Sequence, residues 1–101
     1  MAMQNFRTYQ LALNLVREAQ KVKVRAPYRD QFERSSLSVV LNLAEGSGKT
    51  SNRDRLKYYE IALGSLRETQ ALIDILNLAN LEPIADQVGA NLFNLCKNLK
   101  S

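Results

Sequence analysis

Proline stands only at positions 27 and 83, and glycine only at 46, 48, 64 and 89, so most of this chain carries no helix breaker. Between these points apolar residues recur at threes and fours, the period of an α-helix, and no segment alternates as a half-buried strand does. The pattern predicts an all-α chain of four helices. Helix one covers residues 5–24, and Pro27 enforces a break after it. Asp30, with Glu33 three residues on, reads as a capping box that starts helix two near Gln31. That helix ends at Gly46-Ser47-Gly48, where glycine permits a left-handed turn. Ser51, with Asp54 three residues later, caps helix three, which runs to residue 79. Pro83 suits the first turn of helix four, which continues to residue 98. All connections are short, so neighbours should lie antiparallel in an up-down-up-down four-helix bundle.

A chain of 101 residues is expected to form one domain, residues 1–101, that buries ~65% of its unfolded surface. Cys96 is the only cysteine, which excludes an intrachain disulfide and reads as a small core residue. No apolar run approaches the ~20 residues of a membrane span. Residues 1–5 lack the basic-then-apolar pattern of a signal peptide, and the expectation is a soluble cytoplasmic protein. The net charge of +4 is unevenly distributed. Residues 1–29 are basic, as is the segment 49–57, whereas residues 58–96 are acidic through Glu60, Glu68, Asp74, Glu82 and Asp86. Such polarity steers an anionic partner or docks one subunit on another.

The helices carry more apolar surface than a lone bundle needs. Helix one pairs a narrow polar stripe (Arg7, Gln10, Asn14, Arg17, Lys21) with two apolar faces, and helix three carries two apolar seams. A monomeric bundle helix usually shows one such stripe, so the surplus points to self-association. Residues 35–44 contain no charge, which makes helix two the candidate for the most buried helix. Polar residues nevertheless interrupt it. Asn42 and Glu45 share a helix face. Gly64 sits inside helix three at a cost of about 1 kcal/mol relative to alanine, which suggests a close helix crossing there. Asn42, Glu45, Gly64, Ser65 and Glu68 are therefore expected to form a structural polar network between helices two and three. A catalytic site is the competing reading, but it lacks a constellation. Without histidine there is no Glu-x-x-His di-iron pattern, no nucleophile–histidine pair and no zinc ligand set. No metal or cofactor is expected, and no enzyme activity.

The segment 38–46, with Asn42, Glu45 and Gly46, followed by 58–68, with Gly64, Ser65, Arg67 and Glu68, resembles the four-helix-bundle family of 23S ribosomal RNA intervening-sequence proteins. The likeness extends over nearly the whole chain. One departure is visible: many members have proline where this chain has Val40, which bears on a kink in helix two and not on the fold. Related bundles include the accessory proteins of diversity-generating retroelements. The resemblance implies a ring-shaped homo-oligomer, a pentamer, and nucleic-acid binding. Its alternative implication is a scaffold that docks a protein such as a reverse transcriptase.

The residues themselves support two readings. In the first, basic faces bind RNA or DNA without reading its sequence. Arg17, Lys21 and Arg25 recur every four residues as a stripe on helix one, with Lys23 and Arg29 nearby. Lys49, Arg53 and Lys57 form a second stripe at the start of helix three. No aromatic residue is expected between them, so phosphate contact is favoured over base stacking. In the second reading the same rim, or the acidic surface with Asp74, Glu82 and Asp86, docks a protein partner.

Overall fold

The computed structural model describes residues 3–100, and the side chains of residues 5–100, so the sequence reading of residues 1–5 lies partly outside the described part. It contains four α-helices: α1 (Met3–Lys21), α2 (Tyr28–Ser47), α3 (Asn52–Ile75) and α4 (Glu82–Lys100), with a short 3-10 turn at Ala79–Leu81. There is no strand among the described residues. The helices contact one another around a closed circuit, α1 on α2, α2 on α3, α3 on α4 and α4 on α1. Between α2 and α3 the partners run in opposite numerical order: Ser47 meets Tyr59, Ser38 meets Ser65 and Ser35 meets Thr69.

One core runs through all four helices. Ala12 and Leu15 from α1, Val39 and Leu43 from α2, Ala62 and Leu66 from α3, and Val88 and Leu92 from α4 are fully buried. The two apolar faces expected on α1 are mostly used inside this core. Ala12, Leu15, Val16 and Ala19 are buried, and Tyr9 and Val22 pack against them. The same holds for α3, where both seams lie within or against the core. Among the described residues the exposed large apolar side chains are Phe6 of α1, Leu37 and Leu41 of α2, Ile61 and Ile75 of α3 and Phe93 of α4. The uncharged run of α2 is therefore not buried on all sides.

Helix ends differ from the sequence expectation for local reasons. The α1 helix stops at Lys21, so Arg25 lies in the following loop and cannot extend a helical stripe from Arg17 and Lys21. The α2 helix begins at Tyr28, one turn before Gln31, with Pro27 as a cap that makes no side-chain hydrogen bond. Glu33 does not reach back to Asp30; it meets Arg29 Nε at 3.2 Å instead. Helix α2 then runs unbroken through Val40. No glycine among the described residues has positive φ, so Gly46 and Gly48 do not form a left-handed turn. Gly46 answers a different need: a Cβ there would stand 2.7 Å from the Tyr59 ring. At α3 the expected cap is present, with Asp54 N donating to Ser51 Oγ at 3.1 Å. That helix ends at Ile75, not at residue 79, because Asn77 adopts φ 57°. Leu78 N donates to Ile73 O and Asn77 N to Asp74 O, which closes the helix as a Schellman motif.

Candidate functional site

The polar residues of α2 and α3 separate into a seam and an outer face. Ser38 Oγ and Ser65 Oγ are 2.8 Å apart, and Asn42 Nδ2 donates to Ser38 Oγ at 3.0 Å and to Ser38 O at 2.9 Å. One turn further along, Thr69 Oγ1 lies 2.9 Å from both Ser35 Oγ and Ser65 O. The hydroxyls of Ser35, Ser38 and Thr69 thus join α2 to α3 with Asn42 and Ser65. Small hydroxyls allow this pairing because two helices can approach closely without unsatisfied polar groups. Three residues expected in the network stand outside it. Glu45 is exposed and, among the described residues, pairs with Lys49 Nζ at 3.6 Å; Glu68 is exposed; and a side chain added at Gly64 would meet no described atom within 4 Å. Sequence pattern located the two helices correctly but could not tell the inner from the outer side of their seam. Ser35, Ser38 and Thr69 were detectable only as small polar residues at three- and four-residue spacing.

A second polar node ties three helix ends together. Tyr59 is buried, and its hydroxyl accepts from Asn5 Nδ2 at 2.8 Å and pairs with Ser47 Oγ at 2.9 Å. This fixes the α2–α3 turn beside the start of α1.

The basic residues divide between the two ends of the bundle. Lys21, Lys23, Arg25 and Arg29 belong to the α1–α2 loop and its flanks, with Arg17 one turn earlier on α1. Lys49, Arg53 and Lys57 belong to the α2–α3 turn and the start of α3. The 20 residues of α2 separate the two groups by about 30 Å. They are therefore two separate groups and not one continuous stripe. Lys21 pairs with Glu18, and Arg29 with Glu33. Arg17, Lys23, Arg25, Arg53 and Lys57 form no ion pair among the described residues.

The α2–α3 turn is the better organised of the two groups. Arg55 Nε donates to Lys49 O at 2.8 Å, which pins the turn against the first helical turn of α3. Lys49 Nζ stands 5.1 Å and Lys57 Nζ 5.7 Å from the centre of the Tyr58 ring. The absence of an aromatic residue expected from the sequence is thereby corrected. Tyr58 is adjacent to Lys57 in the chain, but the sequence spacing gave no sign that Lys49 folds back onto the same ring.

Acidic residues gather where α3 meets α4. Asp74 and Gln70 of α3 line a shallow depression with Glu82 and Asp86 of α4, and Gln70 Nε2 donates to Asp86 Oδ1 at 3.1 Å. An apolar groove between the same two helices is lined by Leu63, Phe93 and Cys96 and rimmed by Glu60, Lys97 and Lys100. Burial pushes the Cys96 thiol up from its ordinary value of 9.0; the nearby Glu60 carboxylate adds to the shift and Lys100 opposes it. Among the described residues no group of three or more His, Cys, Asp or Glu side chains could hold a metal ion, and no helix is long and apolar enough to cross a membrane.

The family described as 23S rRNA-intervening sequence protein matches the chain over residues 4–101. No curated protein and no solved structure matches it.

Proposed function

The chain belongs to the 23S rRNA-intervening sequence protein family, and from that premise we propose that it acts as a homo-oligomeric helical bundle that binds RNA or DNA without reading its sequence. The bundle is up-down-up-down and antiparallel, as the opposed numbering of α2 and α3 supports, and its copies form a ring. The observation that carries nucleic-acid binding is the α2–α3 turn, where Lys49 and Lys57 converge on Tyr58 and Arg53 stands on the first turn of α3. The ammonium groups meet phosphate oxygens. The two ammonium groups are point charges without a fixed fork, so contact is to the backbone. Repetition around an oligomer multiplies the field of one turn. The protein works by holding a strand, and no catalytic step is assigned to it. Titration of the purified protein into fluorescently labelled RNA and DNA tests this. Binding at low salt that weakens steeply toward physiological salt, equally for unrelated sequences, is the expected result. No binding at low salt overturns it.

A protein-docking role is the second reading. The apolar groove with Leu63, Phe93 and Cys96 favours it, since Phe93 is half exposed there and Lys97 and Lys100 line the same groove. A partner helix with apolar and acidic residues would suit that groove, and a pull-down that is lost with Phe93→Asp would support this reading.

A further inference from the structure

The chain between α1 and α2 alternates in burial. Val22 and Val24 are half-buried and pack against the core, whereas Lys21, Lys23 and Arg25 are exposed. In an extended segment successive side chains point to opposite sides, so each valine that anchors the loop turns the next cation outward. The start of α2 at Tyr28 brings a fourth cation, Arg29, whose backbone N–H donates to Arg25 O at 3.2 Å. These four cations line one open depression of about 530 Å³, and no Asp or Glu among the described residues lines it. Its size falls within the roughly 300–1,000 Å³ of small-molecule sites.

Lys23, Val24 and Arg25 also line a second depression, of about 370 Å³, whose other walls are Ile75, Leu76, Asn77 and Leu78. The two depressions are therefore neighbours with different chemistry. One is cationic, and the other adds an apolar wall on which Ile75 is 62% exposed. The left-handed turn at Asn77 places that wall there, because Leu78 N returns to Ile73 O and folds the chain back. The cations differ in how far they are already satisfied. Lys21 pairs with Glu18 and Arg29 Nε with Glu33, in exposed pairs that contribute little and leave other donors free. Lys23 and Arg25 form no ion pair among the described residues.

We propose that this end of the bundle binds the terminal phosphate monoester of a nucleotide, with the phosphate among Lys21, Lys23, Arg25 and Arg29 and the nucleoside against Ile75. A phosphate monoester carries about −1.5 to −2 charges at pH 7 and three acceptor oxygens. A phosphate inside a strand carries about one charge. Cations that converge on one depression favour the group with the larger local charge, whereas a strand backbone is served by cations in a row. Inorganic phosphate alone would leave the apolar wall uncovered. The same chemistry comes from two sources, a free mononucleotide and the phosphorylated end of a strand. The site is separate from the α2–α3 turn and does not depend on strand binding there.

Calorimetric titration with adenosine 5′-monophosphate and with adenosine reads the free source. Fluorescence anisotropy of one strand, labelled at its 3′ end and carrying a 5′-phosphate or a 5′-hydroxyl, reads the strand end. At least one response is expected: the monophosphate binds where adenosine does not, or the phosphorylated strand binds about tenfold tighter than its hydroxyl twin. Lys23→Glu with Arg25→Glu should abolish that response with helix content unchanged by circular dichroism, since both side chains are exposed. Arg53→Glu with Lys57→Glu should weaken both strands alike and keep it. The response should also shrink from about pH 7.5 to about pH 5.5 as the phosphate takes up its second proton. The chain has no histidine, the side chain whose ordinary range spans this interval. Protonation of Glu18 or Glu33, the carboxylates paired with Lys21 and Arg29, would act in the opposite sense by freeing a cation. Strands that bind equally whatever their end, with no binding of the monophosphate, would overturn the site and leave strand binding at the α2–α3 turn in place. A response that survives the exchange of Lys23 and Arg25 would overturn it too. If the monophosphate binds and neither strand does at low salt, strand binding falls and this site stands.

Discussion

Ser38 on α2 and Ser65 on α3 share a hydrogen bond of 2.8 Å that sets the spacing of the two helices, and the bond continues on one side to Asn42 and on the other, through the Ser65 turn, to Thr69. Thr69 is fully buried, and Ser35 and Ser36 nearly so. Each hydroxyl there has a partner: Ser35 Oγ lies 3.2 Å from Phe32 O and Ser36 Oγ 2.9 Å from the same carbonyl. The seam therefore specifies how α2 sits on α3 with no buried side-chain nitrogen or oxygen left unpaired among the described residues.

The first prediction follows from this seam. Thr69→Val keeps the shape but removes the hydroxyl that meets Ser35, and should cost about 1 kcal/mol, a fall of roughly 4–8 °C in Tm. Glu68→Leu, one residue away but exposed, should leave the stability of the single copy within about 0.5 kcal/mol. Thermal melts under dissociating conditions measure both. Equal losses for the two would show that Glu68 is held in the seam after all.

Much of this architecture was legible in the sequence. Proline and glycine positions separated the four helices, and Ser51 with Asp54 marked the start of α3 correctly. Errors arose where two local devices compete for the same residues. Glu33 could cap α2 or pair with Arg29, and pairing won. Asn77 could continue α3 or close it, and its left-handed backbone closed it. Burial was harder to read. Whether Glu45, Gly64 and Glu68 face α2, α3 or solvent depends on the rotation of each helix about its own axis by a few tens of degrees, and apolar periodicity defines that rotation poorly when a helix has apolar residues on several sides. For the basic residues, spacing on α1 suggested a stripe, but the stripe was broken by the end of α1 at Lys21. The approach of Lys49 to Tyr58 depends on the shape of the turn between two helices, which no periodicity encodes.

Gly46 gives the second prediction. Its backbone is that of an ordinary helical residue, so alanine is conformationally acceptable, but the new Cβ would stand 2.7 Å and 2.8 Å from two atoms of the Tyr59 ring. That ring is buried and tied by its hydroxyl to Asn5 and Ser47, so it cannot swing aside freely. Gly46→Ala should destabilise the protein by about 1–3 kcal/mol despite alanine's better helix propensity. Adding Tyr59→Leu, which removes the obstructing ring, should make the Gly46→Ala step much less costly in a double-mutant cycle. A stabilising effect of Gly46→Ala alone would contradict the packing described.

Cys96 gives a prediction about pH. Burial is the larger cause of its raised thiol pKa, with Glu60 adding to it. The folded value therefore lies above the unfolded one. The neutral thiol contributes stability in full below about pH 9, and this is lost as pH rises through the folded value. The stability of wild type relative to Cys96→Val, measured by urea unfolding, should fall as the pH rises above about 9. A difference that stays constant over that rise would mean that the thiol is no harder to ionise in the folded protein.

Sedimentation velocity of the protein with fluorescent RNA, at low and at physiological salt, tests the central claim most directly. The protein should sediment as a multiple of 11.4 kDa and carry the RNA with it at low salt. Raising the salt should release the RNA without dissociating the protein. The double variant Arg53→Glu, Lys57→Glu should keep its mass and helix content, bind less RNA of every sequence, and show a shallower salt dependence by about one unit for each phosphate no longer neutralised. A chain that sediments at 11.4 kDa while the RNA stays free at low salt would contradict the account.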